Sequence, residues 1–192
     1  RQLGVLPKTS GCTPGDFAAV FNRVHEQRPQ AQILFVAYSA VTTCSYESAR
    51  IAAEGRDYVT MMDTRHVTIG QGLAVTAVAE HLRQNPNIAI EALRDFAVAY
   101  AARIRMAFIP GDLGYLRAGG RLSNAAFLGA TLLRIKPVIE VLEGRLTATG
   151  KLRGKMDKAV IELSDRIVGQ GPCDMERVFL LRSSGLPQAV QD

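Results

Sequence analysis

Residues 32–38 read Gln32-Ile33-Leu34-Phe35-Val36-Ala37-Tyr38, a short continuous apolar run of the kind shown by strands buried on both faces of a parallel sheet. Before it, Pro14 to Arg28 carries Phe17, Val20, Phe21 and Val24 at helical spacing, with Thr13 as N-cap and Pro14 at the first helical position. After it, Ser45 to Glu54 predicts a helix, Tyr58 to Met62 a strand, and Thr68 to Arg83 a helix closed by Asn85-Pro86. Ile88 to Arg103 predicts another amphipathic helix, and Arg105 to Ile109 a strand before the Pro110-Gly111 turn. Strands alternating with helices argue for an α/β architecture with at least a partly parallel sheet, because parallel strands need crossover connections.

Further along, Val138 to Leu142 and Arg145 to Thr149 form a hairpin pattern around Glu143-Gly144. A mixed sheet or second subdomain therefore begins near residue 110, which divides the chain into a parallel-sheet lobe over 1–109 and a second α/β lobe over 110–192. A helix is expected from Lys155 to Val168, stopped by Gly169 and Gly171, and a final strand over Val178 to Leu181.

Composition narrows the function classes. With 47% hydrophobic and 21% charged residues over 192 positions, the chain is an ordinary globular sequence and not a disordered or collagen-like one. No apolar run approaches the ~20 residues that span a bilayer, and the first residues have neither a basic region nor an apolar core of a secretory signal, so the expectation is a cytoplasmic protein without stable membrane insertion. Cys12, Cys44 and Cys173 lie far apart with no CxxC pair, which suggests neither a zinc cluster nor a disulfide scaffold. The net charge of +5 favours an acidic partner or a phosphate-bearing ligand, but aromatics make up only 6% and do not interleave with the basic residues, so no nucleic acid is expected.

Known catalytic signatures are missing: there is no GxSxG elbow, HExxH, GxxxxGK[ST] or GxGxxG. Gly70-Gln71-Gly72 sits in a helical stretch and reads as close packing. His25, His66 and His81 are read on three separate helices without metal-ligand spacing, as surface or cap residues. Asp63 ends a strand where α/β sheets place ligands, and a helix cap explains it equally well. Two hydroxyl-rich turns carry more information. Thr9-Ser10-Gly11-Cys12-Thr13 precedes the first helix, and Ser39-Ala40-Val41-Thr42-Thr43-Cys44-Ser45 follows the first clear strand. Neutral hydroxyls and backbone N–H groups at helix starts suit a carboxylate or phosphate, although capping accounts for them as well. A Gly119-Gly120 turn between Arg117 and Arg121 leads into a run of small apolar residues from Ala125 to Leu133, either a tightly packed helix or one wall of a cavity for an elongated apolar ligand.

These elements resemble the DegV family of bacterial fatty-acid-binding proteins, which includes the FakB carriers. The family's Thr-Ser-Gln-Pro-Ser turn, Ser-Ser-x-Leu-Ser-Gly-Thr-Tyr segment, Asp-Ser strand end, Leu-x-x-Gly-Gly-Arg-Ile/Leu-Ser element, Ile-Lys-Pro strand and Arg-Gly-Lys appear in that order. They stand here at Thr9–Thr13, Ser39–Tyr46, Asp63-Thr64, Leu116–Ser123, Ile135–Pro137 and Arg153–Lys155. Ala40 departs from a family Ser, Cys44 from a Gly, and Gly11-Cys12 from Gln-Pro. The family's opening strand and its late His-bearing segment have no counterpart between Arg1 and Asp192.

The resemblance implies a parallel-sheet lobe plus a smaller mixed lobe with a lipid tunnel between them. It implies that Thr9, Ser10, Ser39 and Thr43 hold a fatty-acid carboxylate, and that Ala125, Ala126, Phe127, Gly129 and Leu132 line the tunnel. Arg117 and Arg121 would face a partner fatty acid kinase, which phosphorylates the bound carboxylate to an acyl phosphate. The carrier would then be no enzyme and need no cofactor or metal, its ligand being a long-chain fatty acid. The competing readings are an α/β small-molecule hydrolase using Ser39 or Ser45, and a DNA-binding regulator motivated only by net charge.

Overall fold

A computed structural model of the chain describes residues 9–121, 135–183, 186 and 188–191. The α/β expectation holds. The elements run α1 (Pro14–Gln27), β1 (Ile33–Ala37), α2 (Ser45–Ala53), β2 (Val59–Asp63), α3 (Thr68–Gln84), α4 (Ile90–Ala101) and β3 (Ala107–Phe108). They continue with α5 (Gly114–Ala118), β4 (Lys136–Leu142), β5 (Arg145–Leu152), α6 (Met156–Val168), a 3₁₀ turn (Met175–Arg177) and α7 (Gln188–Gln191). The chain separates into two compact units, one made of residues 10–104 with 141–145 and the other of residues 1–9, 105–140 and 146–192.

In the unit built on residues 10–104, β1 and β2 pair in parallel, with Ile33 opposite Val59 and Ala37 opposite Asp63. The apolar run that decided the fold is used on both faces. Ile33 and Phe35 pack with Phe17, Phe21, Ala49 and Ala52 of α1 and α2. Leu34 and Val36 pack on the opposite face with Met62, Val78, Leu93 and Ala97, beneath α3 and α4. The Phe35 ring meets Phe17 and Phe21 edge-on at 5.4 and 6.0 Å between centroids, a favoured aromatic geometry. Period-two alternation with apolar residues at every position is the signature of a strand between two helical layers.

Helix α1 begins as read from sequence. Thr13 accepts the Asp16 N–H, and the Asp16 carboxylate accepts the Thr13 N–H in return, a capping box with Pro14 in the first turn. Those hydrogen bonds hold the Asp16 carboxyl below the usual carboxylate range.

In the other unit, β3, β4 and β5 form a sheet in that order, with Ala107 opposite Glu140 and Phe108 opposite Ile139 in an antiparallel pair. Helix α6 lays Ala159 and Leu163 on Val138 and Leu152. The Arg105 guanidinium donates to the carbonyls of Ile167, Gly171 and Pro172, closing the carboxyl end of α6. Glu140 accepts from Thr149 Oγ1 at 2.6 Å and from Arg166 at 3.1 Å.

Two strand expectations need correction. The strand over Arg105–Ile109 contracts to Ala107–Phe108, the residues that find partners on β4. Val178 to Leu181 forms no strand. Its side chains are exposed, Leu180 by 85%, and no described residue hydrogen-bonds to it as a sheet neighbour. Apolar β-formers favour extended backbone, but a strand exists only where a partner ladder is supplied. The helix expected over Ile88–Arg103 starts later, at Ile90, because Ala89 is extended. The small-residue run from Ala125 to Leu132, and with it the expected tunnel lining, lies outside the described residues.

The β4–β5 turn has Glu143 at φ +48° and Gly144 at φ +78°, the left-handed pair that two-residue hairpins require. A Cβ on Gly144 would lie 2.6 Å from Ser39 Oγ and 2.8 Å from Val41 Cγ2. Gly55 is also left-handed, at φ +73°, but faces open space. Gly55→Ala is therefore expected to cost about 1–2 kcal/mol from backbone conformation, and Gly144→Ala a further 1–3 kcal/mol, roughly, from overpacking. Urea denaturation midpoints of the two variants measure the difference.

Candidate functional site

Open α/β sheets bind ligands outside the carboxyl ends of their strands. Here those ends are tied together by a short chain of hydrogen bonds. Thr64 donates Oγ1 to Ala37 O at 2.7 Å, and Ser39 N–H donates to His66 O at 2.9 Å, joining the loops after β1 and β2. Asp63 accepts the Arg65 N–H at 2.8 Å, which closes the turn after β2 and supports Arg65 at φ +54°. The loop then enters α3 through Thr68 at φ +40°, an unusual conformation for a β-branched residue.

Ser39 is fully buried and donates its hydroxyl to Gly144 O at 2.8 Å. Its one proton is thereby committed to the hairpin turn. Three residues on, Thr42 Oγ1 donates back to Ser39 O at 3.0 Å. Thr43 is half-buried and serves the start of α2, where its Oγ1 accepts the Ser45 N–H at 3.2 Å and donates to Ser45 Oγ at 3.1 Å. The two hydroxyl turns meet at this point. A Cβ built on Gly11 would fall 2.6 Å from Cys44 Sγ and 3.1 Å from Ser45 Oγ, so Gly11 is the residue that lets the backbone of the first turn lie against the second.

The structure thus brings together the turn bearing Ser10 and the turn bearing Thr43. Ser10 is exposed, and so is Thr9, which belongs to the other compact unit. Ser45, read from sequence as part of the second hydroxyl turn and as a possible hydrolase serine, contributes its hydroxyl to the contact between the turns. The sequence signal for it was the Thr43-Cys44-Ser45 spacing, the pattern of a hydroxyl turn at a helix start. Arg117 and Arg121 are exposed on and after α5, and Arg121 donates to Gly119 O.

His66 departs from its expected place on a helix. It lies in the β2–α3 loop, buried, with Nε2 3.1 Å from Ala101 O at the carboxyl end of α4 and Nδ1 without a partner. Burial pushes its pKa down, against the opposing effects of the Ala101 carbonyl and Asp63. His25 stacks on Tyr58 at 3.9 Å and His81 on Phe96 at 3.8 Å, both nearly parallel. Among the described residues no histidine ring hydrogen-bonds the hydroxyl of Ser39 or Ser45. The same residues contain no cluster of three or more potential metal ligands, and no helix among them is long and apolar enough to cross a membrane.

Parallel strands between helical layers, with hydroxyl-bearing turns gathered at their carboxyl edge, define the class of open α/β ligand-binding folds. The chain belongs to the DegV family: a family model described as "Uncharacterised protein, DegV family" matches residues 1–191. A DegV domain-containing protein of Deinococcus radiodurans is 32% identical over 170 residues, covering 87% of this chain and 58% of that protein. One from Streptococcus pyogenes is 35% identical over 170 residues, covering 84% of this chain and 57% of that protein. Among solved structures, a DegV family protein from Thermus thermophilus, described for its fatty acid binding, matches with a TM-score of 0.73 and 32% identity. That match covers 88% of this chain and 58% of the Thermus chain. The chain accordingly spans a little under three-fifths of the length of these relatives.

The lowered pKa of His66 has a signed consequence. The unfolded chain takes up the proton first, near pH 6.5, so the stability owed to neutral His66 is complete above that value and is lost as pH falls below it. Unfolding free energy measured between pH 7.5 and 5 should decline with acidification, and the decline should be shallower in His66→Gln, whose amide can still donate to Ala101 O.

Proposed function

We propose that this chain is part of a fatty-acid-binding carrier that shelters an acyl chain and presents its carboxylate to a partner fatty acid kinase for acyl phosphate formation. The observation that carries the reading is the meeting of the two hydroxyl turns, Ser10–Thr13 and Ser39–Ser45, at the start of α2. Its support comes from family membership and from the fatty acid binding described for the Thermus thermophilus relative.

The chemistry divides cleanly. Burial of an acyl chain contributes about 0.8 kcal/mol per CH₂, so some 14 methylenes supply roughly 11 kcal/mol before ordering costs. Affinity comes from the tail and orientation from the head. Ser45 and Ser10 offer neutral donors beside the positive end of α2, Thr43 orients the Ser45 hydroxyl by donating to its Oγ, and Thr9 joins them in this reading. A carboxylate held by neutral donors stays ionised, as a nucleophile toward phosphorus must. Ser39 differs from Thr43 in being fully buried: with its proton on Gly144 O it shapes the turn, leaving Ser10, Thr43 and Ser45 to meet the ligand. Ala125, Ala126, Phe127, Gly129 and Leu132 are proposed as the tail's lining, and Arg117 and Arg121 as the kinase-facing cations.

Organic extraction of the purified protein followed by mass spectrometry tests the reading, and repeated recovery of no fatty acid would remove it. Displacement of a fluorescent fatty acid should separate the two hydroxyls. Thr43→Val is expected to weaken binding several-fold and, by removing the acceptor of the Ser45 N–H, to lower stability by about 0.5–2 kcal/mol. Ser39→Ala is expected to lower stability by about 1–3 kcal/mol, since it strands a buried carbonyl. Arg121→Ala should reduce kinase-coupled turnover more than lipid affinity, and the opposite order would refute the docking role.

A further inference from the structure

Cys12 and Cys44 both present exposed, free thiols, and they sit on the two turns that touch. The Cys44 sulfur lies against the backbone of Gly11, 2.6 Å from where a Cβ on that residue would stand. Cys12 is the next residue, one Cα step of about 3.8 Å along the chain. Cys44 is the N-cap of α2 but makes no side-chain capping hydrogen bond, so its thiol is not engaged by the helix it begins. Cys12 directly precedes the capping box of α1, whose hydrogen bonds are made by Thr13 and Asp16. Each cysteine thus stands at the start of a helix, Cys12 among exposed residues and Cys44 itself exposed between the half-buried Thr43 and Ser45.

We propose that Cys12 and Cys44 form a reversible disulfide joining the two hydroxyl turns, with a peroxide as oxidant. One thiolate attacks the O–O bond of the peroxide. An S–O bond forms, the O–O bond breaks, and the departing hydroxide takes up a proton as water, leaving a sulfenic acid. The second thiolate attacks that sulfur, the S–S bond forms, and the S–O bond breaks with loss of a second water. Two thiols are oxidised by two electrons and one hydrogen peroxide is reduced to two waters. The bridge requires the two Cα atoms to stand about 4.4–6.8 Å apart; a shift of the exposed backbone at residues 9–12 would set that separation, and a rotamer change would turn the Cys12 sulfur toward Cys44. This pairing does not depend on the fatty-acid reading.

The test uses the full chain, reduced and then exposed to hydrogen peroxide, with thiol counting, intact mass and a non-reducing peptide map. The expected result is loss of two of the three thiols, an intact mass lower by two hydrogens, and a linked peptide pair containing Cys12 and Cys44. Cys173 should remain free, no linked dimer should form, and dithiothreitol should restore all three thiols. Cys12→Ser and Cys44→Ser should each abolish the linked pair. No thiol loss, sulfinic acid on either cysteine in the intact chain, a link through Cys173, or a disulfide between two copies would each overturn the proposal.

Discussion

A polar group taken out of water at the end of a buried strand must find its hydrogen bonds within the protein, and Ser39 is where this chain meets that requirement. The residue follows β1 with no exposed surface, so both its N–H and its hydroxyl need acceptors. It finds them in the His66 carbonyl and the Gly144 carbonyl. One residue therefore holds the loop after β2 and the tip of the β4–β5 hairpin in place around the strand ends. Gly144 suits its position twice over, by adopting a left-handed φ and by leaving the space that the Ser39 hydroxyl fills. The arrangement shows why hydroxyl-rich turns at the edge of a parallel sheet divide their labour: some hydroxyls are spent on the scaffold, and only the remainder can face a ligand.

Much of the fold was legible because its signals are local. The Thr13-Pro14 start of α1, the doubly apolar β1, the Asn85 stop of α3 and the Glu143-Gly144 turn each follow from short-range sterics or hydrogen bonding, and each is present in the structure. Where reading failed, the missing information was non-local. Val178 to Leu181 has every propensity of a strand, yet pairing depends on a neighbour that composition cannot name. Arg105 to Ile109 has the same propensity, and only its two central residues meet β4.

The candidate site was legible in kind but not in role. Residue types marked both hydroxyl turns, and the structure sets those turns against each other. Sequence could not tell Ser39 from Thr43, because burial and the Gly144 carbonyl, 105 residues away, separate them. His66 was misjudged for a similar reason. Its partner, the last carbonyl of α4, is 35 residues downstream and has no sequence signature.

The exposed run from Val178 to Leu181 has a practical consequence. An exposed apolar segment rich in β-formers, with no sheet partner among the described residues, is a template on which copies can stack edge to edge. Arg177 and Arg182 bracket it, the placement by which charged gatekeepers oppose aggregation. Their repulsion weakens as salt shortens the Debye length. Concentrated stocks of this chain would therefore keep best at low ionic strength.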